Sequence, residues 1–268
     1  MKEIILPTER QKAENYNPKL LILFGFPKSG KSSSVASLDN NLIIDLEDGY
    51  RALSVMKVKA KNIQDIFAIK AALAEKKELD GKNPYRFITI DNATRLEEMS
   101  LAYAASLYRK SSVGGNWGMK KDKEGNIVRV NGKPVPDPKA DVRTLPNGAG
   151  YLYLRQALKE VIHMFQDYCE TLILVCHVKD KQIQMNGAES TELVVDLAGK
   201  LGDIICGEAD AVGFIYREAN KTIISFEGGA GHIREARPLH LRGKKFVVGQ
   251  SDENNNLKMD MSKIFIDG

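Results

Sequence analysis

The chain is 268 residues long, 43% hydrophobic and 28% charged, with a formal net charge of +4, which suits one large α/β domain with elaborations, or at most two small ones. No apolar run approaches the length of a membrane span, and the opening MKEIILPTER lacks the long apolar core of a signal peptide, so a membrane-spanning or secreted reading is set aside. The cysteines Cys169, Cys176 and Cys206 are odd in number with no C-x-x-C pair, and they read as buried free thiols in a reducing cytoplasm.

In chain order, Met1–Pro18 reads as a polar arm punctuated by Pro7 and Pro18. Leu20–Phe24 is an apolar run that predicts a buried strand, and Lys31–Leu38 predicts a short helix. Between them stands Gly25-Phe26-Pro27-Lys28-Ser29-Gly30-Lys31-Ser32, followed by Ser33. This matches G-x-x-x-x-G-K-[ST], a loop whose backbone N–H groups cradle phosphates. Gly25 and Gly30 permit the tight curl, and the helix end adds its positive dipole. Lys31 is the charge for the β- and γ-phosphates, and the Ser32 hydroxyl is placed to ligate Mg²⁺, so ATP and Mg²⁺ are the expected cofactors.

Asn41–Leu46 predicts a second buried strand, ending in Asp45, Glu47 and Asp48; alternation along a strand would turn Asp45 and Glu47 to one face. Ile63–Leu79 has helical spacing, ended by Gly81 and Pro84. Phe87–Asp91, FITID, predicts a buried strand finishing in a carboxylate, the Walker B arrangement in which the aspartate holds Mg²⁺ opposite the P-loop hydroxyl. Thr94-Arg95-Leu96-Glu97 has the form of a capping box opening the next helix.

From about 110 to 148 the chain changes character. It holds Gly114-Gly115, Asn131-Gly132, few large apolar residues and the single tryptophan, Trp117. The Asn131-Gly132 pair predicts a β-hairpin in a basic insertion that includes Lys120 and Lys121. Such an insertion suits contact with a nucleic-acid backbone; equally, it suits a solvated excursion that Trp117 pins to the body.

Gly150–Tyr168 predicts an amphipathic helix with Leu154, Leu158, Val161, Ile162 and Phe165 on one side and a structural His163 beside them. Thr171–Cys176 predicts a fourth buried strand, with His177 at its end. Lys179–Glu192 reads as a polar loop and Val195–Gly207 as a helix. Ala211–Tyr216 and Thr222–Phe226 predict an antiparallel pair, Gly228–Gly231 a flexible link, and Phe246–Val248 a last strand. His232–Lys245 concentrates Arg234, Arg237, Arg242, Lys244 and Lys245, which form a solvated face or supply a cation to a neighbouring subunit's nucleotide.

Together GFPKSGKSS, IIDLEDGYRAL, FITIDNATRL and LILVCHVKD, in this order, resemble RecA-like ATPases, most of all phage-encoded members linked to single-strand annealing and recombination. The resemblance covers roughly Leu20–Glu218. It implies an α/β fold over residues 1–268 as a single domain: a RecA-like P-loop NTPase core, with a mostly parallel central sheet flanked by helices, a basic hairpin-like insertion, and antiparallel strands from about 211 onward. It also implies Glu47 as the residue that orients and deprotonates the attacking water, since Asn92 rather than a glutamate follows Asp91. His177 stands where the family carries a γ-phosphate sensor, and Lys179 and Lys181 fall in the position of a DNA-binding loop. The implied partners are single-stranded DNA, further copies of this chain, and a single-strand-binding or recombination protein, in the cytoplasm (a bacterial host's if the gene is a phage's). Two other classes fit the same loop: a P-loop kinase for a small acceptor, with the His232–Lys245 segment as lid, and a nucleotide-gated binding module with little turnover.

Overall fold

The apolar runs become the middle of a ten-stranded sheet. The computed structural model describes residues 6–185, 188–229, 233–254 and 256–266. In chain order the first half contains β1 (Leu20–Phe24), α1 (Lys31–Ala36), β2 (Asn41–Asp45), β3 (Met56–Lys59), α2 (Ile63–Asp80), β4 (Phe87–Asp91), α3 (Ala93–Lys110), β5 (Arg129–Val130) and β6 (Lys133–Pro134). The second half contains α4 (Ala149–Gln166), β7 (Thr171–Cys176), β8 (Val178–Met185), β9 (Ala188–Val195), α5 (Leu201–Glu208), β10 (Ala211–Glu218), β11 (Lys221–Ser225), β12 (Glu235–Ala236), β13 (Lys245–Ser251) and β14 (Leu257–Met259).

The main sheet runs β14-β13-β11-β10-β1-β7-β4-β2-β3, with β12 paired to β10. From β10 to β3 every pairing is parallel; β10, β11, β13 and β14 follow one another antiparallel. Parallel strands covered on both faces read as unbroken apolar runs, and every residue of β1, β2, β4 and β7 is buried. Alternate residues serve opposite faces. Leu20, Ile22 and Phe24 pack with α2, α3, α4 and α5. Leu21 and Leu23 pack with Val35 of α1 and with Leu241, Ile264 and Phe265 from the C-terminal segment. The predicted stripe of α4 is buried as expected, each such side chain stabilising by about 1.5–3 kcal/mol.

Register fixes where the site lies. Phe24 pairs with Cys176, Asp91 with Val175, and Asp45 with Asp91, so β1, β7, β4 and β2 end level at their C-terminal edge. Sites of open α/β sheets form outside that edge.

Several expectations are corrected. Lys179–Glu192 is not a loop but most of a separate two-stranded ladder, β8–β9, from Val178↔Val195 to Met185↔Ala188. That ladder takes Leu193–Val195, so the helix expected from Val195 starts only at Leu201. The Thr94–Glu97 capping box does not form. Asn92 is the N-cap, its side chain accepting from the Arg95 N–H, while Thr94 Oγ1 donates to Asp196 O and Glu97 Oε2 accepts from the Ala198 N–H. β3, a half-exposed edge strand of sequence MKVK, had no expectation attached to it.

The insertion hairpin is present. Arg129 pairs with Pro134 and Val130 with Lys133 around Asn131 (φ 51°) and Gly132 (φ 76°), the positive pair that a two-residue turn requires. Trp117 packs edge-to-face on Tyr108 with ring centroids 5.3 Å apart, and Val142 and Leu145 are buried with Leu154 and Ala157 of α4. The insertion's base is therefore pinned to the body. All three cysteines are buried and free, and burial pushes the Cys169 and Cys206 thiols up to about 12. Among the described residues no helix is long and apolar enough to cross a membrane. The link at 228–231 and His232 fall wholly or partly outside the described residues.

Candidate nucleotide-binding site

The loop from Gly25 to Ser32 leaves β1 at the sheet's C-terminal edge and opens α1. Two of its residues have to be glycine for reasons visible in the packing. A Cβ on Gly25 would lie 2.3 Å from the Ile215 carbonyl oxygen, because β10 runs close beside the loop. Gly30 is the N-cap of α1 at φ +102°, the left-handed region, with Thr222 Cγ2 3.0 Å from where a Cβ would stand. Ser29 N–H donates to Phe26 O at 3.2 Å and closes the turn. Lys31 is buried, and its Nζ donates to Gly25 O at 2.8 Å and Phe26 O at 2.7 Å. Burial lowers its pKa, opposed by the charges of Asp91, Cys176 and Glu47. An ammonium held only by carbonyl oxygens is ready to exchange them for phosphate oxygens.

At the end of β4, Asp91 Oδ2 accepts from Ser32 Oγ at 3.1 Å and from the Tyr50 phenol at 2.5 Å. Desolvation raises the Asp91 pKa, opposed by these two hydrogen bonds. Burial and the Asp91 charge push the Tyr50 phenol far above its usual range, so it keeps its proton and donates it to Asp91. Among the described residues no group of three or more His, Cys, Asp or Glu side chains could hold a metal by itself. Ser32 and Asp91 fit Mg²⁺ nonetheless: it takes hard oxygen donors and is held through one or two side chains, with water and substrate phosphates filling the remaining positions.

Asp45 and Glu47 both line the cavity beside the loop, but strand alternation is not what brings them there. β2 stops at Asp45, which is buried, and its Oδ1 accepts the N–H groups of Glu47 and Gly49, each at 3.2 Å. The chain turns there, and Glu47 is carried outward with its side chain half exposed. Glu47 Oε2 lies 3.8 Å from His177 Nε2. That nitrogen is 2.9 Å from Asn92 Nδ2. Since Asn92 Oδ1 accepts from Arg95 N–H, its amide nitrogen faces His177; Nε2 is then the acceptor and the imidazole proton sits on Nδ1.

Lys31, Ser32, Glu47, Asp91 and His177, distant along the chain, thus line one cavity of about 350 Å³, with Pro27, Lys28, Gly30 and Ser33 of the loop. Tyr50 and Arg217 line it too and were missed by sequence reasoning. Tyr50 lies three residues after Glu47 within IIDLEDGY, where nothing local marks its depth. Arg217 had a signal, as a basic residue just past an apolar run that ends beside the P-loop.

Other candidates stand elsewhere. Arg237 N–H donates to Asp210 O, and Ala236 pairs with Ala211, opposite Leu21 near the start of β1, so this stretch lies at the far edge of the sheet from the chain's own P-loop. None of the described residues of the basic segment lines the cavity. Arg237 bonds Gly207 O and pairs with Asp210 at 3.5 Å; Arg242 bonds Ala236 O and Arg237 O. Lys244 is exposed and without a side-chain partner among the described residues. Lys179 bonds Leu197 O and pairs with Asp196, and Lys181 pairs with Asp203 at 2.8 Å. Lys120 and Lys121 are exposed on the insertion and likewise unpaired among the described residues. His163 pairs with Glu208 at 3.5 Å on the surface, a structural contact as expected.

A phosphate-cradling loop after the central strand, an acid at the end of a neighbouring strand and a mostly parallel sheet flanked by helices define a P-loop ATPase fold with a nucleotide-binding site. The chain belongs to the AAA domain family, whose model matches residues 17–238. No curated relative matches the chain. Among solved structures, a KaiC-like protein from the hyperthermophilic archaeon Pyrococcus horikoshii is similar at a TM-score of 0.45 and 10% identity, over 91% of this chain and 90% of that one.

Proposed function

We propose that this chain is a Mg²⁺-dependent ATPase of the RecA-like kind that works on single-stranded DNA in recombination or repair, as a homo-oligomer. The observation that carries the catalytic half is the convergence of Glu47 and His177, 3.8 Å apart, in the cavity that holds Lys31, Ser32 and Asp91. The loop N–H groups and Lys31 hold the β- and γ-phosphates. Ser32 and Asp91 hold Mg²⁺, which when bound neutralises charge building on the phosphate oxygens. Glu47 accepts the proton of the attacking water. His177, with its acceptor nitrogen tied to Asn92, stands at the junction of β7 and β8 and feels whether Glu47 is engaged. Lys244, unlike Arg237 and Arg242, keeps its ammonium free for a neighbouring copy's nucleotide.

The DNA half rests on the exposed lysines of the insertion and on the family resemblance. Against a kinase reading, none of the described residues of the cation-rich segment lines the phosphate cavity, and the pocket that Arg237 and Arg242 line is a separate one. The test is phosphate release from ATP with and without single-stranded DNA. A DNA-dependent rise that vanishes in Lys31→Ala and Glu47→Gln is expected, with Glu47→Gln still binding ATP. Turnover indifferent to DNA at low salt overturns the DNA half, and phosphate appearing on a small acceptor overturns hydrolysis.

A further inference from the structure

The Tyr50 ring is 1% exposed and packed among Val35, Ile43 and Val175, so its position is set by the core. Its carbonyl is held as well, accepting from Lys57 Nζ at 2.8 Å. From that fixed place the phenol donates to Asp91 Oδ2. A buried phenol needs only some acceptor, and a backbone carbonyl would serve; here the acceptor is the one carboxylate that faces the P-loop hydroxyl. The same oxygen also accepts from Ser32. When the Ser32 hydroxyl turns to a cation, Tyr50 is the donor that remains on Oδ2 and holds the carboxylate in place.

The turn between Asp91 and Tyr50 is tied at both ends. Leu46 N–H donates to Asp91 O at 2.9 Å, and Asp45 Oδ1 holds the Glu47 and Gly49 N–H groups. The phenol closes this circuit, so the segment carrying Glu47 is referenced to the metal-facing carboxylate through both backbone and side chain. We infer that Tyr50 is a positioning residue for Mg²⁺, orienting Asp91 and linking the seat of the metal to that of Glu47. The inference rests on the Mg²⁺-ATP reading of the site.

Partners that orient a ligating carboxylate typically change metal affinity by about 10–100-fold when removed. The experiment is binding of a fluorescent ATP analogue to the full chain, titrated over Mg²⁺ and repeated in EDTA, with Tyr50→Phe against wild type. Tyr50→Phe keeps the ring and is checked by thermal melting. The Mg²⁺ needed for half-maximal binding should rise about tenfold, while affinity in EDTA stays within about twofold. A purely structural role would weaken both alike and overturns the inference, as does an unchanged Mg²⁺ midpoint. As a second arm, Tyr50→Phe in an Asp91→Asn background should add no further rise; an equal rise there overturns it too. Wild-type binding indifferent to Mg²⁺ is a separate failure, since it removes the metal reading on which this stands.

Discussion

Arg217 shows how a single side chain acquires a role from its neighbours' register. Phe214 pairs with Phe24, the last residue of β1. Three residues further along β10, Arg217 reaches beyond the end of β1 and lines the cavity beside the phosphate loop. Its guanidinium has no side-chain partner among the described residues. Lys28 and Lys31 already make that part of the cavity positive, and a third cation there serves an anionic ligand better than it serves the fold. A hydrogen bond to a charged group contributes about 1.5–3 kcal/mol, and the exposure of Arg217 favours the lower end. Arg217→Ala should therefore weaken ATP binding about tenfold by calorimetric titration, with the melting temperature little changed. Unaltered affinity would place the guanidinium in solvent rather than on the nucleotide.

At the level of elements, the start of α3 separates what the sequence displays from what it hides. The four inner strands, the loop and α4 were legible because burial on both faces, or on one stripe, writes itself into composition. The capping box at Thr94–Glu97 misleads because Thr94 and Glu97 match the local pattern but serve distant backbone: Asp196 O and Ala198 N–H, both beyond β9. The β8–β9 ladder was hidden for a related reason, since it joins no sheet face and its strands mix Lys, Asp and Gln into the alternation. Tertiary service also perturbs Glu97. Desolvation raises its pKa above the ordinary 4.5, only partly offset by the Ala198 N–H. The folded chain thus holds that proton more tightly than the unfolded chain, and stability falls as pH rises from 4.5 through the raised value. Glu97→Gln keeps an acceptor for Ala198 and removes the titration. Melting temperature followed across that range should fall less steeply in the variant; parallel curves would show that Glu97 does not titrate differently on folding.

For the whole molecule, the proposed single-stranded DNA partner puts the weight on the insertion. The parallel sheet with the P-loop at its C-terminal edge follows from apolar runs that alternate with helices. The place of Glu47 beside the phosphate loop came with the family resemblance, and the strand order does not follow from the runs. The insertion does not, because neither its composition nor its single turn motif says whether it docks or projects. The structure divides it. Its base is anchored by Trp117, Val142 and Leu145 between α3 and α4. Beyond Gly118 a polar finger carries Lys120, Lys121, Lys123, Arg129 and Lys133 against only Asp122 and Glu124, and it returns at Asp137, whose N–H donates to Gly118 O at 2.8 Å. The finger can be excised between these two residues without opening the anchored base. If it touches DNA, it does so mainly through phosphates, so log affinity for single strands should fall with log salt at about −0.7 per phosphate engaged. Removing residues 119–136 should leave folding and DNA-free ATP turnover as they are and weaken single-strand binding. It should also flatten that slope by about 0.7 for every phosphate the finger had neutralised. A slope unchanged by the excision, read from fluorescence anisotropy over a salt series, would overturn the finger as the proposed DNA contact and shift the proposal to the β8–β9 ladder, where Lys179 and Lys181 are already paired with acids.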